Sequence, residues 1–152
     1  MKIRGLASIL IATILALGVV LAVPAFAHKE HTDFITNAEY IKGHLEQAVA
    51  NKQANNTELA IAHAGHPVEE VYALIEGEIE EHDAELNAQL GQSLTRLANQ
   101  INTMTLEQVQ TVVAEINTML DQAEASVLED ETADPAFNGM VAIAVLETAE
   151  NE

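Results

Sequence analysis

The chain has 152 residues, no cysteine, 3% aromatic residues and 24 acidic against 6 basic side chains, a formal charge of −18 with histidines neutral. So large an acidic excess repels nucleic acid and anionic lipid headgroups and concentrates cations, which argues against DNA or RNA as a partner. Without cysteine there is no disulfide staple, thiolate metal site, iron–sulfur cluster or covalent haem attachment, and stability must come from an apolar core.

The N-terminus reads as an export signal. Lys2 and Arg4 precede an uncharged apolar run over residues 5–23, which Pro24 breaks ahead of Ala25-Phe26-Ala27, a small-x-small cleavage pattern. Residues 1–27 are therefore expected to be a signal peptide, with His28 first in the mature protein. The run is also long enough to span a bilayer, so an uncleaved anchor over 5–23 is the alternative. Both readings place the remainder outside the cytoplasm, secreted or periplasmic. All 24 acidic residues follow Ala27 but only Lys29, Lys42, Lys52 and Arg96 do, so the 125 residues that follow carry −20. That length suits one domain.

Residues 28–35 read as a polar tail containing His28 and His31, and residues 36–152 as an all-α domain. Phe34, Ala38, Ile41, Leu45 and Ala48 recur in steps of four and three, the apolar face of a helix, with Thr36-Asn37-Ala38-Glu39 as a capping box at its start. The polar stretch 51–56 ends this helix, and Asn56 or Thr57 can cap a second one. Gly65-His66-Pro67 interrupts that second helix, because Pro67 lacks an amide proton and biases His66 away from the α region, yet Pro67 suits the first turn of a new helix.

A longer apolar face then runs through Val68, Tyr72, Ile75, Ile79, His82, Leu86, Leu90, Leu94, Leu97 and Ile101, with His82 its one polar member. Alternatively, Asp83 caps a fresh helix and turns that imidazole to solvent. Thr103-Met104-Thr105 makes the next break, and Thr105 with Gln108 forms another capping box. The helix that follows presents Val109, Val112, Ile116, Leu120, Ala123 and Val127 on one side. An acidic linker over 129–134 leads to Asp134-Pro135 and a last helix bearing Phe137, Met140, Val141, Ala144 and Val145. No segment alternates with period two. Short turns between successive helices predict an up-and-down antiparallel bundle of four to five helices.

The chemistry points to the histidines. All six lie within the first 82 residues. Neutral imidazoles converging from neighbouring helices bind iron, copper or zinc without the desolvation cost of a bare charge. His63 and His66 are three apart around Gly65, so they share a helix face, and Glu70 follows within reach. A helical hairpin brings His44 toward them. Glu78 and His82 share a further face four residues apart, and complete the candidate metal ligands as His63, His66, His44, His82, Glu70 and Glu78. Separately, the α-amine and imidazole of a mature N-terminal His28, joined by His31, suit copper(II), which favours nitrogen-rich tetragonal sites.

Enzyme motifs are missing. There is no Glu-x-x-His of a di-iron bundle, no His-Glu-x-x-His, and no Gly-x-Ser-x-Gly elbow or phosphate-binding loop. Glu69-Glu70 and Glu80-Glu81 are adjacent pairs that point to different helical sides, and Met104 and Met119 read as core filler.

Glu39-Tyr40-Ile41 with Gly43-His44-Leu45, Glu58-Leu59-Ala60 with His63-Ala64-Gly65-His66-Pro67, and Asp134-Pro135-Ala136-Phe137-Asn138 resemble the exported helical domain associated with high-affinity iron permeases. The resemblance covers most of the mature chain. It implies an extracytoplasmic iron- or copper-handling role, with His44, His63 and His66 as matching ligands and a membrane metal transporter as partner. The Arg-Glu-x-x-Glu transport motif and a membrane bundle are lacking, so the resemblance is to a partner or stand-alone relative of the permease. The family's C-terminal continuation is missing as well.

The expectation is thus a binding protein that holds or delivers iron or copper, with zinc also suited to the ligands. The rivals are a structural or accessory subunit of a membrane complex and a small copper-dependent oxidase built on the mature N-terminus.

Overall fold

The computed structural model describes residues 23–128 together with Gly139, Ala142, Ile143, Val145 and Leu146, and for 23–30 the backbone alone. The apolar run before Val23 and the linker over 129–134 lie outside the described residues, as does most of the last helix. Those five later residues are helical, with Ile143 and Leu146 exposed.

Among the described residues there are five α-helices and no strand: α1 (Val23–Gln53), α2 (Thr57–His66), α3 (Glu76–His82), α4 (Ala84–Gln100) and α5 (Leu106–Val127). A π-helical turn (Pro67–Val71) and a 3₁₀ turn (Tyr72–Leu74) join α2 to α3. None of the described helices is long and apolar enough to cross a membrane.

The described residues from 32 onward form the helical bundle. Its core is the apolar periodicity of the sequence folded inward. Phe34, Ala38, Ile41, Leu45 and Ala48 of α1 are all buried, as are Leu86, Leu90, Leu94 and Leu97 of α4 and Val109, Val112, Ile116, Leu120, Ala123 and Val127 of α5. Each large aliphatic side chain so removed from water contributes about 1.5–3 kcal/mol against the entropy of ordering the chain.

The connections make the rods antiparallel. α1 ends in a Schellman motif: Asn55 takes φ 59°, its N–H donates to Lys52 O at 3.1 Å, and Asn56 N–H donates to Asn51 O at 2.8 Å. Asparagine tolerates this left-handed position better than most side chains. The reversal is complete within 54–56, and α2 runs back along α1. Lys52 Nζ donates to Ile101 O at 2.6 Å, which ties the end of α1 to the end of α4. Lys42 Nζ lies 2.7 Å from carboxylate oxygens of Asp121 and Glu124 on α5 and of Glu39 on its own helix.

Two local expectations are corrected and one pair of alternatives is decided. Helix α1 starts well before Thr36, whose hydroxyl donates to Thr32 O at 2.7 Å from inside the helix instead of capping it. Thr32, Phe34 and Ile35 are buried, so part of the presumed 28–35 tail belongs to the bundle; burial of two apolar side chains outweighs a capping preference.

Second, His66 keeps α geometry (φ −52°, ψ −45°) although proline follows. The interruption itself falls where expected: α2 ends at His66 and Pro67 stands in the first turn of a π segment, in which Tyr72 N–H bonds to Pro67 O.

Third, His82 is exposed and leaves the apolar face, so of the two sequence alternatives the Asp83 cap is the one that forms. Asp83 is extended (φ −151°, ψ 90°), and its carboxylate accepts from Glu85 N–H and Leu86 N–H at 3.1 and 2.9 Å, so α4 begins afresh and the apolar face resumes only at Leu86. Helix α5 has the expected capping box, Thr105 Oγ1 accepting from Gln108 N–H at 3.2 Å and Gln108 Oε1 from Thr105 N–H at 2.8 Å.

Candidate metal centre

The α1–α2 hairpin decides which histidines meet. Because the turn occupies only 54–56, residues equidistant from it face one another, and His44 is set against His63 and His66. His44 is buried, 7% exposed, in the first turn N-terminal to Leu45 and Ala48. His63 and His66 are half-buried and flank the fully buried Ala64.

The imidazoles converge. Nδ1 of His44 is 3.2 Å from Nδ1 of His63, with ring centroids 5.4 Å apart. The His44 and His66 rings are closer still, 4.3 Å between centroids at 65°. His66 Nε2 sits 2.9 Å from Glu70 Oε2, one turn on, where the π turn carries Glu70 back beneath it. An N–H on Nε2 that donates to the carboxylate leaves Nδ1 of His66 with its lone pair.

Glu78 and His82 are not brought to this cluster. They lie on α3, beyond the π and 3₁₀ turns, and among the described residues they do not complete a group of three His, Asp or Glu ligands. Glu78 is half-buried and His82 exposed. Of the N-terminal pair, the side chain of His28 lies outside the described residues, and His31 is half-buried within α1.

One participant was not picked out from sequence. The Tyr40 ring meets His44 edge to face at 4.6 Å and 88°, and meets His66 at 5.8 Å and 78°. Its spacing of four before His44 on one helix was the available signal, since such pairs are neighbours on the helix surface.

A tetrahedral ion bonded at about 2.0–2.1 Å holds two nitrogens about 3.3 Å apart. The 3.2 Å separation of the His44 and His63 nitrogens matches that span. In the absence of an ion the same separation suits an N–H···N hydrogen bond, in which one ring carries its proton on Nδ1 and the other accepts. Among the described residues no three His, Asp or Glu side chains are grouped as a ready ligand set. The arrangement is a two-nitrogen grip with a third imidazole edge-to-face against His44 and bonded to the Glu70 carboxylate.

Comparison with protein-family models, with curated proteins and with solved structures gave no match for this chain.

Proposed function

We propose that this is an extracytoplasmic transition-metal-binding protein that holds one ion and passes it on, without enzymatic turnover, in the service of a membrane metal-uptake system. The observation that carries the reading is the 3.2 Å approach of two imidazole Nδ1 atoms from different helices, with a third imidazole edge-to-face against one of them, His44.

His44 and His63 would anchor the ion. His66 would supply a third nitrogen through Nδ1, with Glu70 holding its Nε2–H, the carboxylate–imidazole pairing that commonly orients metal-bound histidine. In this arrangement Glu70 acts on His66 and not as a ligand. Copper and zinc suit nitrogen donors, and iron accepts them when an oxygen ligand joins. The resemblance to the iron-permease-associated domain favours iron, and an acidic field draws any of these cations toward the surface. The export signal read in residues 1–27 supplies the location.

Equilibrium dialysis of the mature protein against iron, copper and zinc, followed by metal analysis, tests this. One tightly held ion per chain is expected, lost in His63→Ala/His66→Ala and retained in His82→Gln. Full stoichiometry in the double variant would discard the site.

The accessory-subunit reading draws on a different observation: His44 is buried against Tyr40 and His66, so the aromatic stack also serves to close the hairpin. It predicts that His44→Leu leaves the protein folded and functional in its complex.

A further inference from the structure

We infer that Tyr40 is the positioning residue of this site, an inference that rests on the metal-binding reading. The torsion that turns an imidazole about its Cβ–Cγ bond is broad and roughly two-fold, so a histidine's own geometry does not decide where Nδ1 points. Neighbours must decide it. For a ligand that bonds along one lone pair, the plane of the ring matters as much as the position of its Cα.

Tyr40 meets this need for two of the three histidines at once. Helical side chains lean toward the N-terminus, so His44 reaches back over the turn that holds Tyr40. The two rings meet nearly perpendicular, 88° at 4.6 Å. From the other helix, the His66 ring stands 78° to the same phenol ring at 5.8 Å. With the 65° crossing of His44 and His66 at 4.3 Å, the three rings form a closed set of edge-to-face contacts spanning α1 and α2.

Aromatic rings prefer this arrangement because a positive edge meets a negative face. Rotating either imidazole breaks one contact with Tyr40 and one with the other imidazole. His63 is then aligned through its Nδ1 contact with an already oriented His44. These contacts are made by the ring, so the role is separable by experiment from direct ligation through the phenol oxygen.

Copper(II) is the probe, because its paramagnetic resonance spectrum reports the ligand field as well as occupancy. In the full mature chain, Tyr40→Phe is expected to bind Cu²⁺ within about twofold of wild type with an unchanged spectrum, and Tyr40→Leu to bind about tenfold more weakly with an altered one, as for other groups that orient metal-bound histidines. Tyr40→Gln, an unbranched helix former without a ring, gives the same test if Leu disturbs folding. Circular dichroism checks that the helices persist.

Wild-type affinity and spectrum in both ring-less variants would overturn the positioning role while leaving the metal site standing. A loss in Tyr40→Phe equal to that in Tyr40→Leu would overturn it in favour of the phenol oxygen as ligand. A wild-type protein that takes up no copper, iron or zinc would overturn the metal reading itself and this role with it.

Discussion

Replacing Lys42 by methionine tests how the acidic bundle tolerates its own charge. The ammonium is 15% exposed and touches three carboxylates at 2.7 Å, those of Glu39, Asp121 and Glu124, whose side chains are 40%, 67% and 21% exposed. Burial by itself lowers the lysine pKa, but the hydrogen bonds to Asp121, Glu124 and Glu39 more than offset it and hold the ammonium above the usual lysine range. Glu124 behaves in the opposite way: burial raises its pKa, and the hydrogen bond from Lys42 recovers only part of the shift.

Removing one partner of a fully buried pair costs about 3–5 kcal/mol, whereas exposed pairs are worth about 0–1 kcal/mol. Only Glu124 is mostly buried, so Lys42→Met should cost about 2–3 kcal/mol near neutral pH. For a bundle of this size the loss corresponds to about 10 °C in Tm. Lys42→Met/Glu124→Leu should recover most of it, because no buried carboxylate is then stranded.

The pH dependence fixes the sign. A carboxylate whose folded pKa lies above its unfolded value adds stability below the unfolded value, lost as pH rises through the folded one. Without Lys42 the Glu124 pKa rises further, so the deficit of Lys42→Met should be small near pH 4 and widen toward pH 7. Urea denaturation at several pH values measures it. A loss below about 0.5 kcal/mol at pH 7, or a double variant no more stable than the single, would refute the reasoning.

Other outcomes follow from individual contacts. Gly43→Ala should stabilise the protein by about 0.5–1 kcal/mol in the same assay, since a Cβ at this helical position meets nothing within 4 Å. Gly91→Ala should instead destabilise it by about 1 kcal/mol, because the new Cβ would stand 3.1 Å from Tyr72 Oη and that hydroxyl is tied to Asn87 O at 2.8 Å. Spectrophotometric titration should find one tyrosine, Tyr72, ionising at about 12, pushed up by burial and by Glu76 and Glu80, and Tyr72→Phe should remove that step. Thr105→Ala should cost about 1 kcal/mol through loss of the α5 cap, read from the thermal midpoint.

The helical rods were legible in sequence because apolar spacing is a direct consequence of one-sided burial. Phe34, Ala38, Ile41, Leu45 and Ala48 mark the inner side of α1 whatever the surrounding topology. The meeting of His44 with His63 and His66 was legible too, since a turn of known position fixes which residues of a hairpin face each other. What escaped depended on competition between local preferences. The steric bias on His66 before Pro67 gave way as the chain passed directly into a π turn, and the Thr36 cap lost to burial of Phe34 and Ile35. His82 was legible as a choice between two outcomes, inward on the apolar repeat or outward beside an Asp83 cap, and the bond from Leu86 N–H to Asp83 decides for the cap. Tyr40 escaped for another reason. A tyrosine off the apolar face has many uses, and only the α1–α2 packing shows that it touches two imidazoles.

The central claim is that the His44 and His63 nitrogens grip one ion, and the most direct measurement is an anomalous difference map from a crystal of the zinc- or copper-loaded protein. One peak is expected at about 2.0–2.1 Å from both Nδ1 atoms, with His66 turned toward it. A peak bound elsewhere, or imidazoles still hydrogen-bonded to each other with no ion between them at saturating metal, would contradict it.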